Sequence, residues 1–449
     1  MGSATERLVR FVQDLDLDAI PNGVRRTART AILDGLACAV GGCGTRVGAA
    51  VRELVLSEGG RPAATLWGTR VRSSPARTAL ANGASAHALD FDDVLWPMNG
   101  HPTAPVLPAV LAVAESRGSS GSEVLAAYVA GVEAAAALGY AMGRPHYERG
   151  WHPTATLGAL GATLAAGKLG ELSREELSRA LGIACSQLAG SRMNFGTDTK
   201  PLHAGLAAQV GVLATDLAAR GLTATTDPLG EELGLAGLYH GPSSLELPSL
   251  GDPFALESPG LDLKPYPSCR FTHRTIDAVL DIRSTRGRES VKTIECWIDL
   301  LALKILIHPQ PADGLEAKFS LPYCAAIAWI DGWPAVESFS DARATRADVQ
   351  ELLNRVRVSE ASAPEEEVEI TFSSGARERR RILHPRGSPD RPMERDDHVR
   401  KVRSLCVPVL GAERTDELVS VVSQLETLDD MGELAKLLTP EEPAGTHVP

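Results

Sequence analysis

Apolar residues recur at helical spacing through the first half of the chain, from Arg25 to about Ala219. After Gly118, Ser120 and Glu123 have the spacing of a capping box, and Leu125, Tyr128, Val129 and Val132 follow at i, i+3, i+4 and i+7. Ser173 and Glu176 repeat the device ahead of Leu177, Leu181, Ala184 and Leu188. Glycine-containing breaks at 118–121, 139–143 and 168–170 predict short loops, and short loops predict antiparallel neighbours in a bundle. Between about 222 and 262 Gly, Pro and Ser accumulate and mark a connector. Beyond it the period falls to two: Ile294, Cys296 and Ile298 share one face of a predicted strand, and Val368, Ile370 and Phe372 alternate before a Ser374–Gly375 turn. The RERRR run that follows reads as the solvated face of an edge strand, where arginine also blocks strand addition. Helices resume near Arg395, and Leu418, Val421, Val422 and Leu425 keep helical spacing close to the end. The pattern predicts a mainly-α chain. A large all-helical domain, 1–255 completed by 396–449, is interrupted by a smaller α+β domain over 256–395.

Composition narrows the class. At 449 residues the chain has room for about three ordinary units or two large ones, and 44% hydrophobic with 23% charged residues excludes disorder. Aromatics are only 4%, which favours an Ala-rich helical body over a β-sandwich. A formal charge of −12 argues against a general nucleic-acid binder. The 7 cysteines include no C-x-x-C pair and read as core residues of a reducing compartment. With no signal-peptide pattern and no run of 18 apolar residues, a cytoplasmic protein without a membrane partner is expected.

The candidate chemistry lies in four polar stretches. In Asn82–Pro105, His87, Asp90 and Val94 fall on one face of a predicted helix, Asp92 and Asp93 point elsewhere, and Pro97–Gly100 breaks the helix before His101. The second stretch places His146 and His152 in a loop that opens a helix, and the third delivers Lys200 and His203 at another helix start. A fourth supplies Lys264, Tyr266, Arg270, His273 and Arg274. Helix N-termini attract anions, so converging helix starts with Lys200, Lys264 and Arg270 predict a carboxylate-binding pocket in an acidic protein. Zinc spacings, phosphate-binding glycine loops and a nucleophile elbow are absent. A rival is a magnesium-diphosphate site on the DFDDV stretch, with Asp429–Glu433 as the second carboxylate set. The low aromatic content speaks against it.

The stretches HALDFDD…GHPTAPVLPA, GWHPTATLGALG, GTDTKPLHAG and KPYPSCRFTHR, in this order, resemble the signature regions of the MmgE/PrpD family. The resemblance implies a helical domain with an inserted α+β lid and a homodimer. It also implies a site of Asp90, His101, His152, Lys200, Lys264 and Tyr323; the polar stretches themselves add His203 and Arg270 as substrate-binding candidates. Two departures stand out: Val94 where members often have Thr, and PSCRFTHR where dedicated 2-methylcitrate dehydratases differ. Dehydration, decarboxylation and epimerisation of a polycarboxylate all pass through a carbanion-like state beside a carboxylate. Fixed lysines then stabilise charge without a metal or cofactor; a histidine oriented by a neighbouring acid, such as His101 with Asp90, can act as base and His152 or Tyr323 as the acid on the opposite face, with the division between the histidines left open by sequence. The expectation is a metal-independent lyase of a small di- or tricarboxylate, a hydro-lyase first. A decarboxylase or epimerase is the alternative, and an inactive helical binding protein a further one.

Overall fold

The computed structural model describes residues 2–230, 233–240, 245–361 and 366–441. The capping boxes form as spaced: Glu123 and Glu176 accept from the backbone N–H of Ser120 and Ser173, each at 2.8 Å, and open the Gly121–Glu148 and Arg174–Cys185 helices. The break expected at 139–143 is a kink and not a loop. Gly143, at φ 60° and ψ −170°, bends a helix that runs on to Glu148.

Five helices make the centre of the body: Pro75–His87, Thr103–Arg117, Gly121–Glu148, Pro153–Leu169 and Thr199–Ala219. Small residues let them approach closely. A Cβ on Gly205 would stand 2.3 Å from the Leu80 carbonyl oxygen, and one on Gly83 2.9 Å from Gly205 Cα. The Gly121–Glu148 and Thr199–Ala219 helices have the length and apolarity of a membrane span, but 89% and 56% of those windows are buried inside the protein.

Two large hydrophobic cores result. The first joins residues from Leu8 to Leu261 with Val402–Leu438 of the C-terminal helices; the second gathers Tyr266 to Ile382. The second is built on a four-stranded sheet in the order Val356–Glu360, Val291–Ile298, Glu367–Phe372, Arg377–Arg381, parallel in the first pairing and antiparallel in the others. Val368, Ile370 and Phe372 point into that core, as the alternation predicts. RERRR is the edge strand, and Arg379 spends its charge on Glu367 and Glu369 across the ladder. The chain is therefore mainly α with a smaller α+β part, and the cysteines are all free.

The Gly83–Gly205 crossing yields a test with a definite sign. Helix propensity alone favours Gly205→Ala by about 1 kcal/mol. Crowding against Leu80 opposes it, and overpacking of this kind costs about 1–3 kcal/mol. Urea denaturation of Gly205→Ala should show a lower midpoint; an equal or higher one would contradict the close approach.

Candidate active site

The Pro75–His87 helix stops about two turns short of Val94, to which its sequence periodicity extends. Asp90 adopts φ 52°, a left-handed conformation that Asp tolerates better than most residues, and this turns the chain out of the helix. His87, Asp90 and Val94 consequently do not share a helical face. The three carboxylates that follow meet three different environments.

Asp90 is buried between two lysines. Lys264 Nζ lies 2.5 Å from Oδ1 and also donates to the Asp90 carbonyl at 2.9 Å, while Lys200 Nζ lies 3.1 Å from Oδ2. Burial disfavours the charge on Asp90, but Lys200 and Lys264 outweigh it and hold the carboxyl well below its usual range. The Lys200 contact is off the hydrogen-bond direction, and its Nζ has no hydrogen-bond partner among the described residues. Lys200 is thus the freer cation, flanked by the rings of Phe195 and Phe319 at 5.4 and 5.2 Å.

Asp92, not Asp90, is the acid beside the histidines. His87 Nδ1 donates to it at 2.9 Å, and His101 Nδ1 lies 3.3 Å from it while donating to the Asp93 carbonyl at 2.6 Å. The pairing of His101 with Asp90 expected from sequence is corrected accordingly: the reversal at Asp90 carries its carboxylate to the lysines. With Nδ1 engaged, Nε2 of His101 is the nitrogen left for the cavity. Burial lowers the His101 pKa although Asp92 opposes it, so the ring is neutral and basic at Nε2. Burial likewise brings His87 down to about 3. Asp93 behaves oppositely. Burial pushes its pKa well up, and it accepts from Thr103 in a buried cluster that includes Tyr128.

Around these groups lies a cavity lined by Asp90, His101, His152, Lys200, Lys264 and Arg270 among polar residues. Six of the eight sequence candidates therefore converge. His203 does not line the cavity; its Nδ1 sits 3.1 Å from Nδ1 of His152 and supports that ring from behind. Tyr323 is displaced altogether. One turn inside the Leu321–Asp331 helix, it is fully buried in the second core and donates to the Ser338 carbonyl. Tyr147 is the tyrosine that faces the cavity.

Arg270 is fixed by Asp262 at 2.7 Å and by His273 at 2.8 Å, leaving Nη2 buried without a hydrogen-bond partner among the described residues. His146 bonds Thr156 instead of entering the site. Sequence reading missed Trp96, Tyr147, Phe195, Phe271 and Phe319, which wall the cavity. Scarce along the chain, aromatics are concentrated here, and no local motif announces them. Val94 is also a wall residue, so the departure from the family pattern falls inside the cavity.

One atom each of His87, Asp90, Asp92 and His101 lie within 4.8 Å of one another, a set that could hold a metal ion. The donor chemistry is poor for that role, because both Asp90 oxygens face ammonium groups that would repel a divalent cation. The magnesium-diphosphate alternative loses its geometry in the same way, and Asp429–Glu433 is not among the cavity residues.

Family models of the MmgE/PrpD N-terminal and C-terminal domains match residues 6–248 and 266–427. A cis-aconitate decarboxylase of Mus musculus is 30% identical over 460 residues, 98% of this chain and 94% of that protein. Its Homo sapiens counterpart is 29% identical over 464 residues (99% and 96%), and one from Aspergillus terreus 26% over 476 (97% and 96%).

The buried neutral histidines make stability depend on pH. The unfolded chain takes protons at these rings from about pH 6.5 downward, whereas burial and Lys200 keep folded His203 neutral to about 4. Stability should hold above that upper value and fall as pH drops through the window. His203→Gln removes one such ring, so its stability, followed by chemical denaturation, should decline less steeply there than the wild type's; an equal or steeper decline would contradict the assignment.

Proposed function

The chain belongs to the MmgE/PrpD family and is a carboxylate lyase of that type; from this premise we propose that it decarboxylates a small unsaturated tricarboxylate of the cis-aconitate class. The observation that carries the reading is end-to-end similarity to relatives named cis-aconitate decarboxylase. It ranks CO₂ loss ahead of the water loss expected from sequence. The cavity chemistry supports it: Lys200 and the free Nη2 of Arg270 offer N–H groups to substrate carboxylates, and aromatic walls exclude water.

In this reading the C–C bond to one carboxylate breaks, CO₂ leaves, and its electron pair shifts the adjacent double bond. One proton is added at the far alkene carbon. His101 supplies that proton through Nε2. Neutral in the free protein, it is protonated as a multiply charged anion binds beside it and raises its pKa. Lys200 and Lys264, fixed by Asp90, hold the negative charge that develops on the carbon skeleton. His152, with His203 behind it, lines the cavity as the second proton-transfer group that a dehydration would call on. The reaction needs no metal in this account, since ammonium groups do the charge stabilisation.

NMR of cis-aconitate with the protein in D₂O checks the proposal. It should show CO₂ loss and one deuterium at carbon, unaffected by EDTA. Loss or addition of water would favour the hydro-lyase, and exchange alone the epimerase. Inhibition by EDTA that a divalent ion reverses would overturn metal independence. His101→Asn should lower kcat by about 10²–10⁴-fold.

A further inference from the structure

The turn that carries Asp90 is held by lysines from three distant parts of the chain. Lys318 donates to the carbonyls of Ala88 and Leu89 at 3.3 and 2.7 Å, Lys264 to that of Asp90 at 2.9 Å, and Lys401 to that of Phe91 at 2.7 Å. Successive carbonyls from 88 to 91 each accept from a buried ammonium group. Carbonyls at a helix end are commonly satisfied around a glycine cap, and this helix is followed by Ala88 and Leu89 instead.

Lys401 reaches the furthest. It lies on the Arg395–Leu410 helix and is buried. Its Nζ contacts Asp34 at 2.7 Å, Phe91 O at 2.7 Å and Lys264 O at 3.1 Å, so its three N–H groups have three acceptors. Asp34 is itself fixed by His398, 3.1 Å away on the same C-terminal helix. The two carbonyls belong to the residue after Asp90 and to Lys264 itself, the two ends of the central ion pair. Lys401 does not line the catalytic cavity. It lines a separate one with Phe91, Pro265, Trp333 and Pro334.

We infer that Lys401 is a positioning residue of this active site, setting the separation and direction of Asp90 and Lys264 by gripping the backbone beside each. The inference rests on the assignment of the Asp90 cluster as the active site and not on which carboxylate is consumed.

Lys401→Ala, assayed on whichever carboxylate the wild type turns over, tests it, so that failure of cis-aconitate as substrate leaves the test intact. Loss of fixed geometry should lower kcat by about 100-fold and change KM by less than about threefold. The excised group matches n-propylammonium, and the neighbouring cavity offers it a route. Propylammonium should restore kcat saturably by at least about tenfold, whereas 1-propanol, of the same shape without the charge, should not. A folded Lys401→Ala protein with wild-type kcat, a defect confined to KM, or equal rescue by the alcohol would overturn the proposal. If Lys401→Ala does not fold, Asp34→Asn/Lys401→Met removes the buried ion pair as a unit. The same kcat loss in that protein supports the role, and wild-type kcat refutes it.

Discussion

A carboxylate without water must find cations, and the burial of Asp90 between Lys200 and Lys264 organises the site around that requirement. The three groups come from the end of one helix, the start of another, and the connector that leads into the second core. Lys264 arrives with the stretch that leads into the second core, so the full set forms only when that stretch packs against the helical body. The ion pair thereby ties cavity formation to completion of the fold. It also resolves the apparent conflict between a charge of −12 and an anionic ligand. Acidic residues dominate the chain, while the described cavity lining sets Lys200, Lys264 and Arg270 against the single carboxylate of Asp90, with Arg270 held from outside the lining by Asp262.

The two histidines work under different constraints. His101 is held by backbone and by Asp92, so its tautomer is set and Nε2 faces the cavity. His152 leans on another imidazole, His203, with Lys200 nearby, and burial with that lysine's charge keeps it neutral. A site with two neutral rings, two ammonium groups and one guanidinium can protonate carbon and hold carboxylates. The aromatic walls give it the low dielectric in which those charges act strongly. Val94 among these walls makes one side of the cavity apolar where a hydroxyl would be polar.

Much of this was legible from sequence, and the failures have physical causes. Periodicity and capping boxes located the helices because those signals are local; Ser120 with Glu123 needs nothing beyond one turn. The four polar stretches met as expected, since each is polar text in an otherwise apolar helical body. Partners were another matter. The αL residue at Asp90 reversed the direction of its carboxylate, and no spacing rule reveals that reversal. Tyr323 and Phe319 lie in one short stretch, and only tertiary packing decides that the phenylalanine faces the cavity and the tyrosine the core. Lys318 and Lys401 carry no motif at all, because a single lysine reaching a backbone carbonyl hundreds of residues away leaves no pattern.

Asp90 stays ionised although buried because two ammonium groups face it. Infrared difference spectroscopy of protein with ¹³C-labelled aspartate, wild type minus Asp90→Asn, reads that state directly. The account predicts a carboxylate stretch from Asp90 that persists from neutral pH to below about pH 4, the ordinary range for aspartate. A protonated carbonyl stretch from this residue at neutral pH would contradict it, since the lysines would then have no anion to hold them.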